Sequence, residues 1–154
     1  MTMGNYLCYN KYRLNKLDAA SVDFFSFEHF ICYAKVVDIY DGDTCTLLFI
    51  WKNIPIKIRC RMYGYDSPEL KPKLNIPNRH ETIKTAIAAK EALINYTNFL
   101  NSPIICVEFK KFDKYGRPLV ILYNYMNENI NDKMILNGYG YSYHGGTKNV
   151  IIEV

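Results

Sequence analysis

The sequence has no pair of cysteines at metal-binding or redox spacing. Its five cysteines (Cys8, Cys32, Cys45, Cys60 and Cys106) are odd in number and scattered. No CxxC pair and no His/Cys cluster occurs, which excludes a zinc centre or a disulfide framework and leaves reduced, mostly core thiols. No apolar run approaches the roughly 20 residues that a membrane helix requires. Eight glycines and six prolines in 154 residues are too few for a collagen-like or disordered chain. A signal peptide is not expected either, because Lys11, Arg13, Lys16 and Asp18 break up the N-terminal segment where an apolar stretch would be needed. What remains is a chain that is 49% hydrophobic and 22% charged. This is the composition of a single folded domain, expected to be a monomer acting inside the cell, in cytoplasm or nucleus.

The charge excess is mild: 19 Lys+Arg against 15 Asp+Glu, a net +4. That permits a polyanionic partner without demanding one. Residues 1–34 are balanced, with Lys11, Arg13 and Lys16 against Asp18, Asp23 and Glu28, so the whole excess lies in residues 35–154. Near the N-terminus, Met3-Gly4-Asn5-Tyr6-Leu7-Cys8 would read as an acylation signal, and so a membrane tether at Gly4, if translation began at Met3. Cys8 stands where that motif wants Ser or Thr, so an untidy N-terminus is the preferred interpretation.

Residues 1–32 are aromatic-rich without clean periodicity and are expected to be an extension packed on the domain, partly helical. From residue 33 the pattern sharpens. Strands are expected at 33–39, 45–51 and 56–62, the last alternating Ile56, Ile58, Cys60 and Met62 with Lys57, Arg59 and Arg61, which puts Arg61 on an open polar face. Asn78-Arg79-His80-Glu81 has capping-box spacing. Ala86, Ala89, Leu93, Tyr96 and Leu100 then mark one face of a helix ending before Pro103. Strands at 104–109 and 119–123 follow, and a short helix at 131–137 has Gly138 at its C′ position. The order β-β-β-α-β-β-α predicts a mainly β protein with α (α+β): a five-stranded OB-fold barrel with one helix between strands 3 and 4 and a short helix after strand 5.

Three short stretches hold charges that composition does not explain: Asp41-Gly42-Asp43-Thr44, Arg61-Met62-Tyr63-Gly64-Tyr65-Asp66-Ser67-Pro68-Glu69, and Asp113-Lys114-Tyr115-Gly116-Arg117. Each alone is ordinary turn chemistry. Together they offer carboxylates for a hard cation (Asp43, Asp66), a carboxylate that can handle a water proton (Glu69), and guanidiniums that fork onto phosphate (Arg61, Arg117). A phosphodiester gains negative charge in its transition state, and such a set can stabilise it.

In order and spacing, DGDT, R-x4-D-S-P-E, an internal helix and DKYGR resemble the staphylococcal (thermo)nuclease family over residues 33–148. The resemblance implies an OB-fold nuclease domain over 33–154 that cleaves DNA and RNA with Ca²⁺, leaving 3′-phosphate ends. By it, Asp43 and Asp66 are the calcium carboxylates, the Ser67 backbone carbonyl is a further ligand, and Asp41 is an outer-shell acid. Glu69 activates or orients the attacking water, and Arg61 and Arg117 bind the scissile phosphate. Lys114 and Tyr115 match positions that contact a nucleotide phosphate, and Tyr141 or Tyr143 matches tyrosines beside the base. An open barrel face and aromatic platforms suit single-stranded substrate. The closing segment His144–Lys148 is similar to those of compact family members found in large DNA viruses and some microbes. The alternative is a catalytically silent OB-fold module that binds nucleic acid without cutting it. His29, His80 and His144 are expected to have no catalytic part.

Overall fold

The computed structural model describes residues 3–145, with side chains described from residue 7. The segment expected to resemble compact family members therefore lies, beyond Gly145, outside the described residues. Helix α1 (Met3–Lys16) precedes the strands β1 (Ile31–Ile39), β2 (Thr44–Trp51), β3 (Ile54–Met62) and β4 (Tyr65–Asp66). Helix α2 (Arg79–Tyr96), strands β5 (Ile104–Phe112) and β6 (Pro118–Tyr123), helix α3 (Ile130–Leu136) and strand β7 (Tyr141–Ser142) complete the order. The five long strands close a barrel in the order β1-β2-β3-β6-β5, while β4 and β7 form a separate two-stranded ladder. This is the mixed α+β, OB-like architecture expected from the sequence. Among the described residues no helix is long and apolar enough to cross a membrane.

Period-2 alternation builds the barrel core. Val36, Leu47, Phe49, Cys60, Met62, Val107, Phe109, Val120 and Leu122 are all buried. At one mouth Phe27 inserts its ring, with centroids 5.3 Å from Phe109, 5.5 Å from Phe49 and 5.8 Å from Trp51. A two-residue turn joins β2 to β3 at Lys52 and Asn53, both at positive φ (49° and 63°), as a type I′ hairpin requires. The five cysteines are free thiols. Burial pushes the Cys60 thiol up to about 12, so it packs as an inert apolar group.

Two sequence expectations about α2 fail locally. Asn78 stands at the N-cap but in the left-handed region (φ 56°, ψ 33°), and its side chain makes no capping bond. A capping box needs an extended cap residue. The helix also stops at Tyr96, short of the Leu100 turn. The Thr97 hydroxyl donates to the Leu93 carbonyl at 2.7 Å, and Asn98 turns left-handed at φ 50°. Leu100 is left 79% exposed, and Ala86, Ala89, Ala92 and Leu93 form the buried face.

Register decides where the chemistry gathers. Thr44 pairs with Arg61 across β2/β3, and Arg61 pairs with Leu119 across the parallel β3/β6 contact. The Asp41–Thr44 turn, the end of β3 and the start of β6 therefore meet at one end of the barrel. Asn131 of α3 pins that end: its amide donates to the carbonyls of Tyr63 and Val120 (2.9 Å each) and its oxygen accepts from Leu122 N–H at 3.1 Å. Asn131→Ala would strand these buried groups, and an expected loss of about 3 kcal/mol in a urea melt follows. A loss under about 0.5 kcal/mol would contradict the pinning role.

Candidate active site

The turn before β2 approaches α2 so closely that only glycine fits. A Cβ on Gly42 would lie 2.7 Å from the Ala89 Cβ and 2.9 Å from the Ser67 Cβ. The buried Tyr65 hydroxyl donates to the Gly42 carbonyl at 2.7 Å and locks the turn. Asp41, half-buried, accepts the Asp43 N–H at 3.1 Å. Asp43 is itself buried, with Oδ1 accepting from the Thr44 hydroxyl at 2.8 Å and Oδ2 from the Ser67 N–H at 3.1 Å.

Arg61 is not on an open face. Its side chain is 17% exposed and faces two carboxylates. One guanidinium nitrogen lies 3.1 Å from Asp43 Oδ2, and the same nitrogen donates to Asp66 Oδ1. Strand alternation places Arg61 outward from the barrel core, where Asp43 of the turn before β2 and Asp66 of β4 cover most of its side chain. Asp66 is buried as well, and its Oδ2 accepts the Tyr141 hydroxyl at 2.7 Å across the β4/β7 ladder. Glu69 is exposed on the loop leaving β4.

Three carboxylates around one guanidinium leave this corner short of positive charge. Burial, only partly offset by Arg61 and reinforced by Asp41 and the Asp66 carboxyl, pushes Asp43 up from an ordinary 3.8 to about 7. Between those two values the native state holds a proton that the unfolded chain has lost, so this group's contribution to stability falls as pH rises from about 4 to 7 and is level above. In chelator, wild-type protein is expected to melt higher at pH 5 than at pH 8 relative to Asp43→Asn, whose profile lacks that slope. Identical profiles would contradict the assignment.

The Asp113–Arg117 turn forms the opposite wall. Asp113 Oδ1 accepts the Tyr115 and Arg117 amides at 2.9 Å each, while Oδ2 takes the Arg117 Nε and Nη2 at 2.8 Å each. Burial alone would raise the Asp113 carboxyl, but these bonds hold it below its ordinary value. The Arg117 guanidinium is thus fixed in orientation, 5.6 Å from the centre of the 72%-exposed Tyr115 ring, with Lys114 Nζ 5.1 Å from the same ring.

Between the walls lies an open cleft of about 770 Å³, lined by Arg61, Arg117, Lys114, Tyr115 and Tyr143. Tyr141 is not among its lining residues. Tyr63 and His144, unassigned in the sequence, also line it, their rings 5.9 Å apart. Tyr63 was legible, two positions beyond Arg61 and so on the same strand face. His144 had no such signal. Tyr65 and Thr44, which hold the acidic turn, were also missed.

Among the described residues, no three His, Cys, Asp or Glu side chains are grouped so as to hold a metal ion. A cation here would draw on the two buried carboxylates of Asp43 and Asp66, a hard donor set. It fits a hard divalent cation whose remaining ligands are water and phosphate oxygen.

No curated protein matches the chain. The profile of the staphylococcal nuclease homologue family matches residues 59–150, which is 92 of the 154 residues. That match takes in Arg61, Asp66, Glu69 and Arg117 but begins after the Asp41–Thr44 turn. A nuclease-type or nucleic-acid-binding function goes with that family, and the chain belongs to it.

Proposed function

We propose that the chain is a calcium-dependent phosphodiesterase that hydrolyses DNA and RNA, prefers single strands and leaves 3′-phosphate ends. The observation that supports it is Arg61, which lines one side of a cleft whose other side carries a fixed Arg117 and which is itself paired with the buried Asp43 and Asp66 carboxylates. Asp43 and Asp66 would hold the cation, with the Ser67 carbonyl as a further ligand and Asp41 behind them. When bound, calcium supplies Lewis-acid polarisation of a phosphate oxygen.

The chain's own residues do the rest. Arg61 and Arg117 offer forked donors to the non-bridging oxygens, an attraction that grows as charge accumulates in the transition state. Glu69 takes a proton from the attacking water. Water oxygen bonds to phosphorus, the bond to the 5′ oxygen breaks, that oxygen leaves as a hydroxyl by taking a proton from solvent water, Glu69 returns its proton to solvent, and the phosphate stays on the 3′ side. Lys114 adds charge for the backbone, while the exposed Tyr115 ring and the cleft-lining Tyr143 give bases a sequence-tolerant surface.

A labelled single-stranded oligonucleotide incubated with the protein in millimolar Ca²⁺ tests this by following binding and cleavage together. Both are expected. Binding with no cleavage across pH and divalent metals would replace the enzyme with a silent binding module.

A further inference from the structure

The two tyrosines expected beside the base occupy different places. Tyr143 lines the cleft, whereas Tyr141 turns its hydroxyl onto Asp66 Oδ2 at 2.7 Å. The backbone leaves Tyr141 little freedom. Asp66 pairs with Tyr141 and Tyr65 with Ser142, and the Tyr143 N–H donates to the Gly64 carbonyl at 2.9 Å. Just before Tyr141, a Cβ on Gly140 would lie 2.6 Å from the Tyr65 ring and 3.0 Å from the Asp66 carbonyl oxygen. Glycine is what lets β7 press against β4.

We propose that Tyr141 is a positioning residue that orients the buried Asp66 carboxylate for the cation, rather than a platform for a base. With Oδ2 held by the phenol, Oδ1 faces Arg61 and the Asp43 side of the corner. The C-terminal ladder thereby sets the aim of a metal carboxylate seventy-five residues earlier in the chain. Partners of this kind, one bond behind a ligand, commonly tune metal affinity by about 10- to 100-fold. The inference rests on the calcium reading above.

Tyr141→Phe separates the two roles, because it keeps the ring and removes only the hydroxyl. Tb³⁺ titration without nucleic acid, with Ca²⁺ as competitor, is expected to show binding about 10- to 100-fold weaker than wild type. Cleavage is expected to recover at saturating Ca²⁺ with an unchanged KM for oligonucleotide. A base platform predicts no change in metal affinity, and equal affinities in wild type and variant would overturn the proposal. If wild type itself binds neither ion, the calcium reading fails first and takes this inference with it. Should the variant not fold, the wild-type tyrosine ultraviolet difference spectrum on adding Ca²⁺ serves instead. A perturbed tyrosine band is expected, and a flat spectrum would overturn the proposal.

Discussion

Arg61→Gln is expected to cut the rate of phosphodiester cleavage by about 10²- to 10³-fold, the usual cost of losing one preorganised donor to developing negative charge. The sequence alone suggested an arginine on an open polar face. The structure makes Arg61 the counter-ion of two buried carboxylates, so the same substitution should also cost about 3–5 kcal/mol of stability in metal-free protein. Acid, which protonates Asp43, should recover part of that loss, and so should Ca²⁺. Urea melts at pH 5 and pH 8, with and without Ca²⁺, read the effect directly. A variant as stable as wild type in chelator at pH 8 would show that the guanidinium does not balance this pair.

Glu69→Gln is expected to behave in the opposite way. Glu69 is exposed, and an exposed charge contributes at most about 1 kcal/mol to stability, so the variant should stay folded and melt close to wild type. The cleavage rate should fall by about 10²- to 10⁴-fold, the range attributed to a positioned proton acceptor. Single-turnover kinetics at saturating oligonucleotide isolates the chemical step. Full activity would remove Glu69 from the mechanism and leave the water to another base.

The strands were legible because each carries its signal locally. Alternation in β3, apolar β2 and β5, and the run Leu119–Tyr123 each report a face without reference to the rest of the chain. The closed barrel followed from their order. What stayed hidden was non-local. Nothing near Arg61 in sequence shows that Asp43 of the turn before β2 and Asp66 of β4 cover its side chain, because that depends on pairing Thr44 with Arg61 and seating Gly42 against Ala89. The end of α2 was misplaced for a local reason, a left-handed Asn98 whose N–H closes the last turn onto the Asn95 carbonyl. Tyr141 and Tyr143, two residues apart, looked equivalent. Only the β4/β7 register gives one to Asp66 and leaves the other in the cleft.

The charged motifs were legible for a different reason. DGDT, R-x4-D-S-P-E and DKYGR each sit at an end of a barrel strand, and β2, β3 and β6 deliver those ends to one side of the molecule. Sequence spacing listed the groups, and topology brought them together. Asp113 was read as part of the motif without its role, which is to grip the Arg117 guanidinium with one oxygen and two turn amides with the other.

The most direct test of the central claim is hydrolysis of end-labelled single-stranded DNA by the purified protein in millimolar Ca²⁺ beside a matched reaction in chelator, with analysis of the product ends. The account predicts cleavage only with Ca²⁺ and products carrying 3′-phosphates. Equal cleavage in chelator, or products with 3′-hydroxyl ends, would contradict it.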